Sequence, residues 1–209
     1  WFWGFEVTNS STNRISPTTA PPPGHGEGTN LLGTGTKLIN MVVHDTNQGV
    51  LSTANTNEIY GSLFYYNGYQ GSDKGHGHGI YVQHQGTQWK PIHDNIIFDQ
   101  FGWGIHAYTE GGNIDYLDFQ GNISFNNGTI SREGAHPNIL VGGLKKAISP
   151  RLISNYTYNS QLESKNDLGY SAGCSNPIVT NNYSQLYDIA TSKPDDVDAI
   201  QDDETDDQE

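Results

Sequence analysis

The residues best suited to chemistry in this 209-residue chain crowd into one stretch. Asp73-Lys74-Gly75-His76-Gly77-His78-Gly79 runs into Tyr81, Gln83 and His84, so three of the eight histidines fall between positions 76 and 84. Trp103, His106 and Tyr108 follow soon after. An imidazole takes a proton well near neutrality and a phenol gives one up, the pairing that general acid–base catalysis needs. A lysine beside them neutralises a substrate carboxylate. His106, Tyr81, His78 and Lys74 are therefore the catalytic candidates. Tyr108, Gln83, Trp103 and His84 are the candidates for holding substrate, because rings pack on sugar faces and polar tips bond hydroxyls. His76-x-His78 has the spacing that puts two imidazoles on one side of a strand, a zinc-like pattern when His106, His44 or Asp73 adds a third ligand. Asp73 and His76 are the metal candidates. Parity opposes this, since His76 and His78 share the parity of Ile80, which is expected to face a core. Gly77 and Gly79 mark a break there.

The elements that must position these groups are strands. The chain is 33% apolar and 11% aromatic, with 25 Gly. Val, Ile, Tyr, Phe and Thr are punctuated by Gly, Asn and Asp, and Leu/Ala-rich helical runs are absent, which excludes a helical bundle. No run approaches the roughly 18 apolar residues of a membrane-spanning helix. The net charge of −13 is a local property: nine of the 23 acids lie between 195 and 209, leaving 14 acids against 10 bases in the body. Residues 191–209 read as a disordered acidic tail. With no basic patch, nucleic acid is not an expected partner. Cys174 stands alone, so no internal disulfide forms.

A short pattern recurs. Leu38-Ile39-Asn40-Met41-Val42-Val43 is followed by Ile59-Tyr60-Gly61-Ser62-Leu63-Phe64, then Ile92-His93-Asp94-Asn95-Ile96-Ile97-Phe98. Further copies surround Asn122, Asn155 and Asn182. Taking 40, 62, 95, 122, 155 and 182 as equivalent gives spacings of 22, 33, 27, 33 and 27. A second motif accompanies most copies: Gly49-Val50, Gly79-Ile80, Gly104-Ile105 and the degenerate Asn138-Ile139. Units of this length built from short strands predict a solenoid whose coils pair in parallel and share one core. The Asn side chains are expected to stack as a ladder. An all-β sandwich is the alternative, with Asn67-Gly68 and Asn127-Gly128 as hairpin turns rather than coil corners.

The Gly-Ile and Asn-Ile-x-Phe repeats, with "GHGHGIYVQHQG", "DNIIFDQFGWGIHAY" and "GNISFNNG", resemble right-handed parallel β-helix repeat proteins of the pectin-lyase-like superfamily. The resemblance covers about Trp1 to Tyr183 and implies a right-handed parallel β-helix over residues 1–190. It also implies an extracellular protein acting on a polysaccharide in a cleft on an outer sheet face. That superfamily includes lyases, hydrolases and non-catalytic adhesins, so glycan-binding or structural modules stand beside catalysis. β-Eliminative cleavage of an acidic polysaccharide is the favoured expectation, with Ca²⁺ the cofactor the resemblance suggests and Zn²⁺ second. A glycoside hydrolase needs two carboxylates about 5–10 Å apart. Asp73, Asp99 and Glu110 do not align for that, and Gly77-His78-Gly79 matches only half of a pectin-hydrolase motif.

Strand alternation fixes directions. With Ile80, Val82, Ile105 and Ala107 inward, Tyr81, Gln83, His106 and Tyr108 face outward, and aligning the Gly-Ile motifs sets Tyr81 beside His106 and Gln83 beside Tyr108. Trp1-Phe2-Trp3-Gly4-Phe5-Glu6-Val7 reads as a strand, so preceding coils are expected to be missing and the uncapped end to self-associate. Gly33-Thr34-Gly35-Thr36-Lys37 enters a strand rather than a helix, which argues against a phosphate loop. Ser16–Gly28 reads as a long loop. Five Asn-x-Ser/Thr sequons occur, at Asn9, Asn122, Asn127, Asn155 and Asn182, and three of them fall at expected ladder or turn positions with no room for glycans.

Overall fold

A computed structural model describes residues 1–160 and 166–184. The acidic tail expected over 191–209 lies outside the described residues. Among the described residues there is no helix, and short strands form three large parallel sheets. The first sheet holds Thr29–Leu31, Val50–Ser52, Ile80–Val82, Ile105–Tyr108, Ile139–Gly143 and Asn166–Ser171. The second holds Phe2–Trp3, Lys37–Ile39, Glu58–Tyr60, Lys90–His93, Leu117–Gln120, Arg151–Ile153 and Ile178–Thr180. The third holds Glu6–Thr8, Val42–His44, Leu63–Tyr65, Ile96–Phe98, Ile123–Phe125, Tyr156–Tyr158 and Tyr183–Ser184. The chain visits the three sheets in turn, and each strand pairs in parallel with its counterpart one circuit on. This arrangement is compatible with a parallel β-helix. It is not the antiparallel meander a sandwich requires.

One core runs between the sheets. Leu38, Val50, Ile59, Phe64, Ile80, Ile92, Ile97, Ile105 and Phe119 are fully buried within it. Three-residue strands suffice because each contributes one or two inward apolar side chains and the next circuit covers them. In the first sheet the pairs Val50↔Ile80, Ile80↔Ile105 and Ile105↔Ile139 carry the Gly-Ile motifs in the expected register. Gly79 permits this approach: a Cβ there would stand 2.5 Å from the Ile97 side chain.

The expected Asn ladder forms at the bend between the second and third sheets. The Asn95 amide donates to Asn122 Oδ1 at 3.1 Å, Asn122 to Asn155 at 3.1 Å, and Asn155 to Asn182 at 2.9 Å. Ser62 N–H donates to Asn95 Oδ1 at 2.9 Å, and Met41 N–H donates to Ser62 Oγ at 3.1 Å. The ladder position is thus Met41, not Asn40. Asn40 belongs with Gly61, Asp94, Gly121, Ser154 and Asn181, all in left-handed backbone immediately before the ladder. Asn, Asp and Gly tolerate that conformation best, so the Asn at 40 serves the bend itself.

A second ladder closes the turn from the third sheet back to the first. Thr46 N–H donates to Asn67 Oδ1, Asn67 to Gln100 Oε1 and Gln100 to Asn127 Oδ1, at 3.2, 3.2 and 3.3 Å. Asn67 and Asn127 are therefore buried corner residues and not hairpin turns. The buried Asn122, Asn127, Asn155 and Asn182 leave no room for glycans. The amino-terminal stretch is two short strands, Phe2–Trp3 and Glu6–Thr8, parted by Gly4 in left-handed backbone, and Trp1, Phe2, Trp3 and Phe5 are exposed.

Asn122→Ala is expected to destabilise the fold by about 3 kcal/mol, because it strips partners from buried groups, at about 1–3 kcal/mol for each one left unsatisfied. Asn122 accepts from both nitrogens of Asn95 and donates to the Ile92 carbonyl at 2.8 Å. Urea denaturation measures the effect, and an unchanged midpoint would show that the ladder does not hold the circuits together.

Candidate functional site

The site lies on the outer face of the first sheet. Tyr81 pairs with His106 there, and Ile80, Val82, Ile105 and Ala107 are fully buried behind them. Tyr81, Gln83, His106 and Tyr108 are half-buried on the outside, as alternation predicts. Gln83 Nε2 donates to the Tyr108 carbonyl at 2.8 Å and to the Tyr81 hydroxyl at 3.3 Å, which fixes the two strands' outer ends together.

His78 joins this face from the turn before Ile80–Val82. Gly77 has a φ of +94°, and a Cβ there would lie 2.4 Å from Gly68 Cα. The left-handed residue breaks the strand parity that would have sent His78 into the core. His76 takes different partners on the other side of the break. It sits in Gly75–His76, antiparallel to Tyr69–Gln70, stacks on Tyr69 and donates to Asp73 Oδ1 at 2.8 Å. Asp73 and His76, the expected metal ligands, are thus bonded to each other. Among the described residues no group of three or more His, Cys, Asp or Glu is placed to hold a metal ion. His44, a further candidate ligand, is engaged by Glu6 and Asp45.

The aromatic groups stack on one another. His78 and His106 lie 4.5 Å apart between centroids, and Trp103 stands 4.9 Å from His106 and 4.4 Å from His136. Tyr81 meets both His78 and His106 edge-on, and Tyr108 tilts against His106 at 5.0 Å. Trp103 is thus stacked between the imidazoles of His106 and His136. Lys74, exposed, reaches 5.4 Å from the Trp103 ring.

Two imidazoles are bonded directly: His106 Nδ1 and His78 Nε2 are 2.8 Å apart, and His78 Nδ1 lies 3.1 Å from Gln48 Oε1. Burial, then His106, His136 and Lys74, holds His78 well below the ordinary histidine range. Burial, Lys74 and His136 push His106 down to about 3. Both rings are neutral at physiological pH. Burial, together with Glu110, raises Tyr81 above the usual phenol range, so its proton stays on.

His84 corrects the expectation made for it. It is 2% exposed and donates from Nδ1 to the Asp115 carbonyl at 2.6 Å. The alternation that turns Ile80 and Val82 inward continues to His84, which points away from the outer face. Gln48, His136 and Asp167 are additional residues of this face. Gln48 and Trp103 flank His78 because each precedes the Gly of a Gly-Ile motif, with Gly49 N–H bonded to the His78 carbonyl and Gly79 N–H to that of Trp103. That offset was readable in the repeat. Asp167 follows Leu140, the neighbour of His106, in the same row. Comparison with protein-family models, curated proteins and solved structures returned no match for this chain.

Proposed function

We propose that the chain is a right-handed parallel β-helix of the pectin-lyase-like kind and that this face cleaves an extracellular acidic polysaccharide by β-elimination. The observation that carries the reading is His106 Nε2. It makes no hydrogen bond to any described residue and is not sealed from solvent, while Nδ1 is held by His78. A neutral imidazole nitrogen thus faces outward beside a protonated phenol and a lysine.

In the reaction, His106 Nε2 takes the proton from the carbon next to the uronate carboxylate. The electrons of that C–H bond form a carbon–carbon double bond, and the adjacent C–O bond to the next sugar breaks. Tyr81 gives its proton to the leaving oxygen, and solvent later returns a proton to Tyr81 as His106 releases one. Lys74 neutralises the carboxylate, on which negative charge builds in the transition state. The same pairing offsets the positive charge that helps depress His106, so its basicity rises when substrate binds. Hydrolysis requires two facing carboxylates. Around His106 the facing groups are imidazoles, phenols, the Trp103 indole and the Lys74 ammonium, with Glu110 beyond Tyr81 and Asp167 two strands away.

An ultraviolet assay over a panel of acidic polysaccharides, with and without calcium, is expected to show rising absorbance from unsaturated uronate ends. Measurable binding with no absorbance rise would replace the lyase by a glycan-binding module.

A further inference from the structure

We infer that Gln48 is a positioning residue for His106: its side-chain oxygen, acting through His78, determines which nitrogen of His106 carries the proton. A neutral imidazole has one N–H donor and one lone-pair acceptor. Gln48 Oε1 can only accept, so His78 donates to it from Nδ1 at 3.1 Å. His78 Nε2 then holds a lone pair and accepts from His106 Nδ1 at 2.8 Å. The single proton of His106 is spent on that bond, and Nε2 keeps its lone pair. If the Gln48 amide were turned over, it would donate instead, both imidazoles would reverse, and His106 Nε2 would be protonated and useless as a base.

The strands make this relay rigid. Gln48 precedes Gly49 and Val50–Ser52, His78 precedes Gly79 and Ile80–Val82, and Gly49 N–H bonds the His78 carbonyl at 2.9 Å. Adjacent circuits thus hold the two side chains at neighbouring positions, and His106 stands on the strand beyond. With both rings neutral, the two bonds leave a lone pair on His106 Nε2, and protonation there keeps both of them.

The catalytic consequence rests on the reading of His106 as the base, but the proton position does not. It is measured in the intact chain without substrate by long-range proton–nitrogen correlation NMR, with His106 assigned from the spectrum of His106→Gln. The expected pattern is a protonated Nδ1 and a lone-pair Nε2 on His106, the opposite of the tautomer free histidine prefers. Gln48→Leu is expected to shift the proton toward Nε2, whereas Gln48→Glu, which also only accepts, keeps it on Nδ1. In turnover, Gln48→Leu lowers kcat with little change in KM, and Gln48→Glu restores it. A proton on Nε2 in the unmodified chain, or a Leu variant with an unchanged pattern, overturns the inference. The expected tautomers with no unsaturated product from any polysaccharide would support the role of Gln48 and remove only the catalytic reading.

Discussion

His106→Ala is expected to lower elimination by roughly 10²-fold or more, the scale of a lost general base. The fold should survive, since the inward neighbours Ile105 and Ala107 are untouched. The ring does stack on His78, Trp103 and Tyr108, so a cost of about 1 kcal/mol, typical of a single substitution, is expected. The pH profile gives a second and more specific signature. A base works only when deprotonated, and burial with Lys74 and His136 places His106 at about 3. Because kcat/KM reports the free enzyme's ionisations, its acid limb should fall near pH 3 and not near the 6.5 of an ordinary histidine. Activity is present above that value and lost below it. On the alkaline side Tyr81 is raised, so no loss is expected before the ordinary phenol range. An Ala variant with full turnover would move the base elsewhere, with His78 next in line. An acid limb near neutrality would show that the rings are more solvated than their packing implies.

The parts of this site that were legible in the sequence are those that strand alternation controls. Tyr81 beside His106, with Ile80 and Ile105 behind, follows from two Gly-Ile motifs and a period of two. The same rule, carried one step further, turns His84 inward, where it forms a parallel bridge with Ile114. Asn40 falls one residue before the ladder for a different reason. Asn serves two needs at this bend, a left-handed φ and a ladder amide, and composition cannot tell which one a given Asn meets. The shared offset of Gln48 and His78 before a Gly was legible, but the bond between their side chains was not. Gln48 meets His78 from 30 residues away, and His136 reaches Trp103 only because of how the loop before Ile139–Gly143 folds back. Such contacts depend on loop length and conformation, which a repeat pattern leaves open.

Lys90→Met is expected to be strongly destabilising at alkaline pH and much less so at neutrality. Lys90 shares the inward parity of Ile92 and is fully buried at the start of Lys90–His93. Its ammonium donates to the carbonyls of Ser52, Ala54 and Gln83, each at 2.8 Å. Methionine fills the same volume but donates nothing. Ser52 O keeps a bond from Gln83 N–H at 3.0 Å, so the loss falls on Ala54 and Gln83, at about 1–3 kcal/mol for each buried carbonyl left unpaired. Opposing this is the cost of holding a charge out of water, which methionine removes. That cost depends on pH. Burial pulls Lys90 from 10.5 to about 7, so between those values the folded chain binds fewer protons than the unfolded one, and native stability rises with pH relative to the variant. The slope approaches about 1.4 kcal/mol per pH unit for one proton. Near pH 9 the neutral amine still donates two hydrogens, enough for Ala54 and Gln83, and the variant is expected to be less stable by about 3 kcal/mol. As pH falls to about 7 the gap closes, and below that it stays level. Urea denaturation of both chains at several pH values measures this directly. A gap independent of pH would mean that Lys90 titrates as in water and that its ammonium is not confined as the structure has it. The consequence reaches the site, because Gln83 is held from behind by Lys90 and in front by Tyr81 and Tyr108. Loosening Gln83 leaves the Tyr81 hydroxyl with only its 3.4 Å bond to the Tyr108 carbonyl, so the Met variant should donate less well to the leaving oxygen even at pH values where it remains folded.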